Sequence, residues 1–594
     1  MFNLRSEGRC RLMEVALFEA DPDVAITGGK IVDVFTGAIR PADVLIRDGR
    51  IAAVAAPGAG RIGDATVFDA TGHYLVPGMI DPHMHMESSS VVPSEFARAV
   101  VPRGISTVVV DPHEFGNVVG VEGIRAFLDA CKGLPLRVLL RVPARVPELS
   151  DDLETGGAEI DEEATRDMLG WPEAVCLAGD INPEIILRRD PGQMIRMQDT
   201  LDAGHIISGY VPQLEDGGLD AMVAAGVRDT HVPHNLDEIR RDLEHGLHCL
   251  LTPRPGRFEE QDFRDLARAV TEGELDSRRI CLCTDDVLVH ELLDDGHLDS
   301  RLRMAVRAGM PPVTAVQMAT LNTANLLRID DHVGAIAAGR FADIAVVKDL
   351  TDFTVTRMFV GGEPVDPEAL RDLRTRARLP DFVRKTIHCT TPTLDAIQVP
   401  APGDKPTQRC RVLVNSQPKE LAEHDLPVRD GVVLPDPEAG IVSLAVVERY
   451  HGTGRVGRGF VQGFGLKHGA VASSTNHNAH HIFALGCNAA DMQLALDRLI
   501  ALQGGYVAVR DGKVIAELPL PVIGMISEVP MEDLARDMAG FDRVLRDDLG
   551  CEVSRRPIYA LNFLCSPVVM GYGLSDVGLI NSRKLELVDL FAEG

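Results

Sequence analysis

No stretch of this 594-residue chain approaches the roughly 18 uninterrupted apolar residues that a membrane-spanning helix needs. The first twenty residues, MFNLRSEGRCRLMEVALFEA, interleave charged with apolar side chains and contain no apolar core of signal-peptide length. Positive charge is scarce as well. Lys and Arg number 60 against 88 Asp and Glu, a formal charge of −28, and no basic tract offsets the excess. Such a field repels phosphate backbones and anionic lipid heads, so it argues against a nucleic-acid or membrane-surface binder and for a protein with a small-molecule ligand. A disulfide framework is also missing. The eleven cysteines form no even pattern and sit mostly in apolar strand-like runs, which reads as reduced thiols in a cytoplasmic protein.

What is present is enough apolar material to fold: 45% hydrophobic residues with 25% charged. The length is too great for one ordinary core and implies two or three packed units. Residues 23–70 carry short alternating runs (DVAITGGKIVDVF, ADVLIRDGRIAAVA) broken by Gly-Gly and Asp-Gly, the pattern of antiparallel hairpins. From about residue 75 the pattern becomes brief apolar strands followed by helix-length amphipathic stretches. Eight such strands are predicted, at 73–86, 106–114, 136–144, 174–180, 205–210, 227–234, 247–253 and 278–286; the sixth has the least apolar run. The predicted architecture is α/β: a (β/α)8 TIM-like barrel over 76–330. A discontinuous β-sandwich side domain is expected from residues 1–75 and 331–370, then a connector over 371–407 and a C-terminal α/β domain over 408–594.

Several residues that could carry chemistry stand at the carboxyl ends of predicted barrel strands, where such barrels build their sites. The first strand ends Asp81-Pro82-His83-Met84-His85, and side chains two apart on a strand face the same way, so His83 and His85 converge as a candidate metal clamp. Structural histidines in a strand-terminal turn are the alternative. The eighth strand ends Cys283-Thr284-Asp285-Asp286, beside the first in a closed barrel; an Asp there could complete a metal site and accept a proton from an activated water, while one of the pair serves as a helix cap. The second strand ends Asp111-Pro112-His113-Glu114, which could bind substrate, shuttle a proton or simply stabilise the turn.

Other signals fail. GTGRVG (452–457) matches a dinucleotide fingerprint in letters, but more glycine follows it instead of a helix. No phosphate-binding G-x-x-x-x-G-K-[ST] and no G-x-S-x-G nucleophile turn occurs, and Cys281 and Cys283 are spaced as core residues on one strand face.

With these residues laid out, the chain resembles the amidohydrolase superfamily, and more closely its adenine deaminase branch. The resemblance runs through DVAITGGKIVDVFTG, PGMIDPHMHMESS (77–89), RGISTVVVDPHEFGNVVG (103–120) and CTDD (283–286). It continues in the C-terminal region through VERYHGTGRVGRGFVQGFGLKHGAVASS (447–474), GGYVAV (504–509) and AELPLPVIGMIS (516–527). It implies a barrel with one or two divalent ions per chain, manganese above iron or zinc, that activate water to attack carbon 6 of adenine and release hypoxanthine and ammonia. By the resemblance His83, His85, His231 and Asp285 are metal ligands, Asp285 is also the base, His113 and Glu114 are catalytic, and Glu87 and Ser88 face the substrate. A small purine substrate, no nucleic-acid or membrane partner, and a homodimer or higher homo-oligomer complete the expectation. Hydrolysis of another cyclic amidine or amide, and ligand binding without catalysis, are the alternatives.

Four positions depart from the family pattern. Its fourth-strand metal Glu is replaced in Ala178-Gly179-Asp180-Ile181-Asn182 by Gly179, with Asp180 one residue later, which alternation puts on the wrong face unless the strand end bulges. Its fifth-strand metal His is replaced in Gly209-Tyr210-Val211, where Tyr210 would touch substrate. The runs TPRPG (252–256) and NHNAHH (476–481) also differ. The sequence therefore predicts one firm ion at His83, His85 and Asp285, with the second weakened or absent. His451, His477, His480 and His481 are expected to be surface or cap histidines, the alternative being that they reach the pocket.

Overall fold

The computed structural model describes residues 4–592 except 213, 254–256, 374–378, 417, 478, 554–555 and 568–570. Eight short strands form the barrel: β1 (Met79–His85), β2 (Ile105–Val110), β3 (Arg137–Val142), β4 (Ala174–Leu177), β5 (Ile206–Ile207), β6 (Asp229–Thr230), β7 (His248–Leu251) and β8 (Ile280–Leu282). Parallel ladders run from β1 to β5 and from β6 to β8. The bridge Ile207↔Val227 joins the two arcs, and Asp285–Asp286 pairs with Met84 and His85 to close the ring.

Side-chain alternation fills the barrel. Ile80, Val109, Leu139, Val175, Ile206, Leu250 and Cys281 share one cluster with Leu326, which ends the helix Leu321–Leu326, and with Leu327, Ile329 and Val333, which follow it. Their neighbours along the strands, such as Val108, Val110, Leu140 and Leu251, belong instead to the main core outside. Cys281 and Cys283 are both buried in the inner cluster, as core residues.

The side sheet has eight strands. Val24–Asp33, Ala38–Arg47, Arg50–Ala55, Thr66–Asp69 and Tyr74–Pro77 from before the barrel meet Ile344–Val347, Val355–Val360 and Glu363–Pro364 from after it. The two segments join where Tyr74–Pro77 pairs antiparallel with Ile344–Val347. One face carries Ile26, Val44, Ile46 and Ile51, and the other packs Ala25, Leu45 and Ala52 on Leu12 and Val15 of the helix Ser6–Ala16.

The C-terminal region holds a ten-stranded, mostly antiparallel sheet. Alternation again divides its faces. Ala445, Val447, Ala470, Ala472 and Ala484 pack on the helix Ala489–Leu502, whereas Leu444, Val446, Val471 and Leu485 belong to the same continuous core as the barrel. That shared core holds the sheet against the barrel, and the contacts below place it at the loops that follow β1, β3 and β4.

Candidate metal centre

A bulge in β1 aims its two histidines. Asp81 pairs with Val108 and Met84 with Val110, so β1 spends three steps where β2 spends two, and the facing of its side chains inverts. Even-numbered Ile80 points into the barrel before the bulge; after it, His83 and His85 point in while Met84 joins the outer core. Asp81 fastens the bulge to the end of β8, accepting from the His83 N–H at 3.2 Å and from the Thr284 hydroxyl at 2.6 Å. Thr284 Oγ1 is in turn 3.1 Å from buried His297 Nε2. Across the barrel, the fully buried Arg141 donates to the Pro82 carbonyl at 3.1 Å and to Ser208, and lies 3.6 Å from Asp229.

Five side chains converge at the mouth. Asp180 Oδ2 is 3.5 Å from His83 Nε2 and 3.3 Å from His85 Nε2, and its Oδ1 is 3.4 Å from His231 Nε2. Asp285 Oδ1 is 3.4 Å from His83 Nε2 and 3.5 Å from His85 Nε2. Asp285 holds a left-handed backbone, φ +60°, a conformation Asp tolerates better than most residues and one that recurs at functional sites. His85 Nδ1 lies 3.1 Å from the Asp111 carbonyl, so an N–H there leaves Nε2 with its lone pair facing the centre.

Asp180 reaches the centre because the chain has left the strand. β4 ends at Leu177, and the Ile181 N–H bonds back to the Gly179 carbonyl at 2.8 Å, a tight three-residue turn with Asp180 at its tip. The reversal frees Asp180 from the alternation of β4. Gly179 is needed for the packing: a Cβ there would lie 2.4–2.6 Å from the backbone of Gly209 after β5.

The electrostatics call for a cation. Burial opposes the charge of Asp180, but His83, His231 and His85 hold its carboxyl well below the usual range. Burial likewise opposes the His85 imidazolium, yet Glu114, Asp180 and Asp285 hold it well above the usual value. His231 is pushed down to about 3 by burial and is a neutral imidazole. Both nitrogens of His83 and both carboxylate oxygens of Asp180 are buried without a hydrogen-bond partner. Donor atoms 3.3–3.5 Å apart are spaced as neighbouring ligands of one ion would be at bond lengths of about 2.1 Å, ordinary for zinc-like ions. Three imidazoles and two carboxylates fit such an ion, and zinc, iron and manganese all accept the set.

The remaining predicted residues flank this centre. His113 is 3.4 Å from Asp111 and 3.5 Å from Glu114; burial opposes its charge, but Glu114 and Asp111 raise it to about 10. Glu114 is buried and held well below the carboxylate range, burial being outweighed by His113 and His85. Glu87 is buried beside it and pushed well up by burial and the Glu114 charge. The Ser88 hydroxyl donates to Asp286, bracing the β1–β8 closure. The Tyr210 ring sits 5.7 Å from that of His231, and burial pushes its phenol up to about 12, so it presents O–H instead of a phenolate. In TPRPG, Thr252 donates to the His231 carbonyl at 3.0 Å, and residues 254–256 lie outside the described residues.

The expectation of surface or cap histidines in the C-terminal region is corrected. His477, His480 and His481 are buried. His477 Nδ1 lies 3.2 Å from Glu114 Oε1, and His481 Nε2 lies 3.2 Å from Asp576 Oδ1. His451, at the surface, reaches the Gly156 carbonyl on the loop after β3 at 2.9 Å. The run of histidines in NHNAHH was the one sequence signal for this wall; Arg141, Thr284 and His297 gave none.

The chain matches known proteins over nearly its whole length. The Amidohydrolase family matches residues 74–176 and 193–365, and the Adenine deaminase C-terminal domain matches 418–586. The chain is 37% identical over 586 residues to an adenine deaminase of Moorella thermoacetica, covering 98% of this chain and 97% of that one. It is 37% identical to one of Nitratidesulfovibrio vulgaris (96% and 97% covered) and 34% identical to one of Clostridium botulinum (96% and 95%). Among solved structures, phenylurea hydrolase B aligns at a TM-score of 0.45 with 18% identity, over 59% of this chain and 98% of its own; a structure from the characterisation of molinate hydrolase aligns at 0.44 with 17% identity, over 59% and 96%. The chain belongs to the adenine deaminase family of the amidohydrolases.

Proposed function

We propose that the chain hydrolyses adenine to hypoxanthine and ammonia. The observation that carries this reading is the convergence of His83, His85, His231, Asp180 and Asp285 on one buried point, with orphaned donor atoms on His83 and Asp180. A divalent ion held there lowers the pKa of water toward 7 and so supplies a nucleophile at neutral pH. Asp285, whose carboxylate faces His83 and His85, accepts the proton that water loses and passes it to the departing amino group. The water oxygen adds to carbon 6, the carbon–nitrogen bond then breaks as ammonia leaves, and the proton remaining on that oxygen moves to ring nitrogen 1 to give hypoxanthine. His113, whose Nε2 lies 3.5 Å from Glu114 Oε1, holds a proton where the purine ring nitrogens would lie, and Glu87 and the Tyr210 O–H offer further polar contacts to the base.

The ion of this reading is manganese, and His83, His85, Asp180 and Asp285 bind it firmly. His231 faces the other oxygen of Asp180 and groups with His83 and Asp285, donors that the first ion already uses, so a second ion is not held firmly there. The eleven free thiols, nine of them buried, suit a reducing cytoplasm. Among the described residues no helix is long and apolar enough to cross a membrane. A closed homodimer is the expected assembly, the commonest among soluble oligomers.

The test is ammonia release from adenine by purified protein, with manganese added and with chelator. Manganese-dependent release is expected. A metal-loaded protein that leaves adenine untouched but hydrolyses another cyclic amidine or amide would move the reading to that substrate class, which the replaced fourth- and fifth-strand residues favour.

A further inference from the structure

A second group of buried ligating atoms lies where the barrel meets the C-terminal sheet. Glu114 stands in the first turn of the helix His113–Ala130. One ligand atom from each of Glu114, His477 and His480 lies within 4.8 Å of the others, and the Glu114–His477 contact is 3.2 Å. All three side chains are buried, at 0%, 4% and 0% exposure. Both oxygens of Glu114, Nε2 of His477 and both ring nitrogens of His480 have no hydrogen-bond partner. A buried polar atom left without a partner is destabilising, and several sharing one enclosed place point to a common partner. The backbone is committed to the arrangement as well. His480 holds φ +55°, in the left-handed region, and the His477 ring lies flat on Phe563 with centroids 4.7 Å apart and 6° between planes. Phe563 thereby fixes which edge of the imidazole meets Glu114.

We infer that Glu114, His477 and His480 hold a second divalent cation, of the imidazole-preferring zinc or iron class, at the seam between the barrel and the C-terminal domain. Two imidazoles with one carboxylate make a three-ligand set that leaves a position for water or another donor, and imidazole selects against calcium and magnesium. Two neighbouring charges bear on the ion. The buried Arg449 opposes it, and the Glu114 carboxylate favours it, while Glu87 adds buried carboxyl oxygens that lack hydrogen-bond partners. His85 stands between the two centres, with Nε2 toward Asp180 and Asp285 and Nδ1 3.7 Å from Glu114 Oε2. The seam ion does not occupy the fourth- to sixth-strand position of the family, and it does not depend on the substrate being adenine. Its effect is to fasten the C-terminal domain over the barrel mouth, so that domain docking and the closing of the pocket become one step.

The test is metal stoichiometry by elemental analysis on full-length protein, stripped by chelator and then titrated with Zn2+. Wild type is expected to bind one equivalent more than the His477→Ala/His480→Ala variant. The His83→Ala/Asp285→Asn variant is expected to lose the barrel ion and keep the seam ion. If the His477→Ala/His480→Ala variant does not fold, His480→Gln retains bulk and polarity without an imidazole and is expected to weaken the seam equivalent at least tenfold. Folded seam variants that bind Zn2+ as wild type does would overturn the proposal, as would a His83→Ala/Asp285→Asn variant that binds none. Failure of the adenine reading shows separately, as absence of ammonia release by the wild-type protein.

Discussion

Asp180 reaches the centre with a short side chain from a chain that has already turned out of β4. Its carboxylate meets His83 and His85 with one oxygen and His231 with the other. Asp285 is the complementary group, contributed by the last strand and aimed by its left-handed backbone. Asp285→Asn keeps the shape but loses a proton acceptor, and a drop in kcat of about 10²–10⁴-fold is expected. Ammonia release measures the loss and circular dichroism confirms the fold; activity near wild type would remove Asp285 from its role. His83, His85 and Asp285 were legible in the sequence because each stands at or just beyond the end of an apolar run, whereas His231, after the least apolar run, was reached through the family resemblance alone. Asp180 was only half legible, since alternation put it on the wrong face and the turn at Gly179–Ile181 depends on a hydrogen bond that composition does not reveal. His477 and His480 were read in the opposite sense because nothing local distinguishes a buried histidine from a solvated one.

The eight strands were readable as elements; their fine geometry was not. Even β6, reduced to Asp229–Thr230, falls within the predicted run 227–234, the least apolar of the eight. The β1 bulge was invisible, yet it decides which of its side chains face inward. The approach of β4 to β5 belongs to the same level. Gly179 lies against the backbone of Gly209, and a Cβ on Gly209 would itself meet Val227 Cγ1 at 2.4 Å. Restoring the family's carboxylate as Gly179→Glu is therefore expected to disrupt the site. The milder Gly179→Ala should cost about 1–3 kcal/mol by overpacking and weaken metal binding by shifting Asp180. Thermal unfolding and metal content check both effects, and an unchanged Tm with full metal content would show that the strands part freely.

At the scale of the molecule, the C-terminal domain is fastened to the barrel by directional contacts as well as by the shared core. Arg98 pairs with Glu532 at 2.6 Å, Glu95 accepts from the Met531 N–H at 2.9 Å, and Asn182 donates to the Ser582 carbonyl at 2.6 Å. Asp576 accepts from both the N–H and the hydroxyl of Thr155, at 3.1 and 2.6 Å, and faces His481. Burial opposes its charge, but His481 and Thr155 bring its carboxyl down to about 2. That lies below the roughly 3.9 of an unfolded Asp, so its stabilisation is complete above about pH 4 and is lost as the pH falls through about 2, an effect of about 2 kcal/mol. Asp576→Asn should lower the Tm at pH 7 and flatten its fall between pH 4 and 2; a parallel acid limb in wild type and variant would contradict the assignment.

The first and last strands of the barrel meet in the pairing of Asp285–Asp286 with Met84–His85, and the same residues carry the jaws of the metal centre. A ring of staves stands only as firmly as the joint where its ends come together, and the divalent ion proposed for these residues would be the rivet at that joint. Ligand capture and closure of the ring are then a single thermodynamic event. Chelator should accordingly lower the melting temperature of barrel and C-terminal sheet together, in one calorimetric transition; two separated transitions would mean that the hoop closes without its rivet.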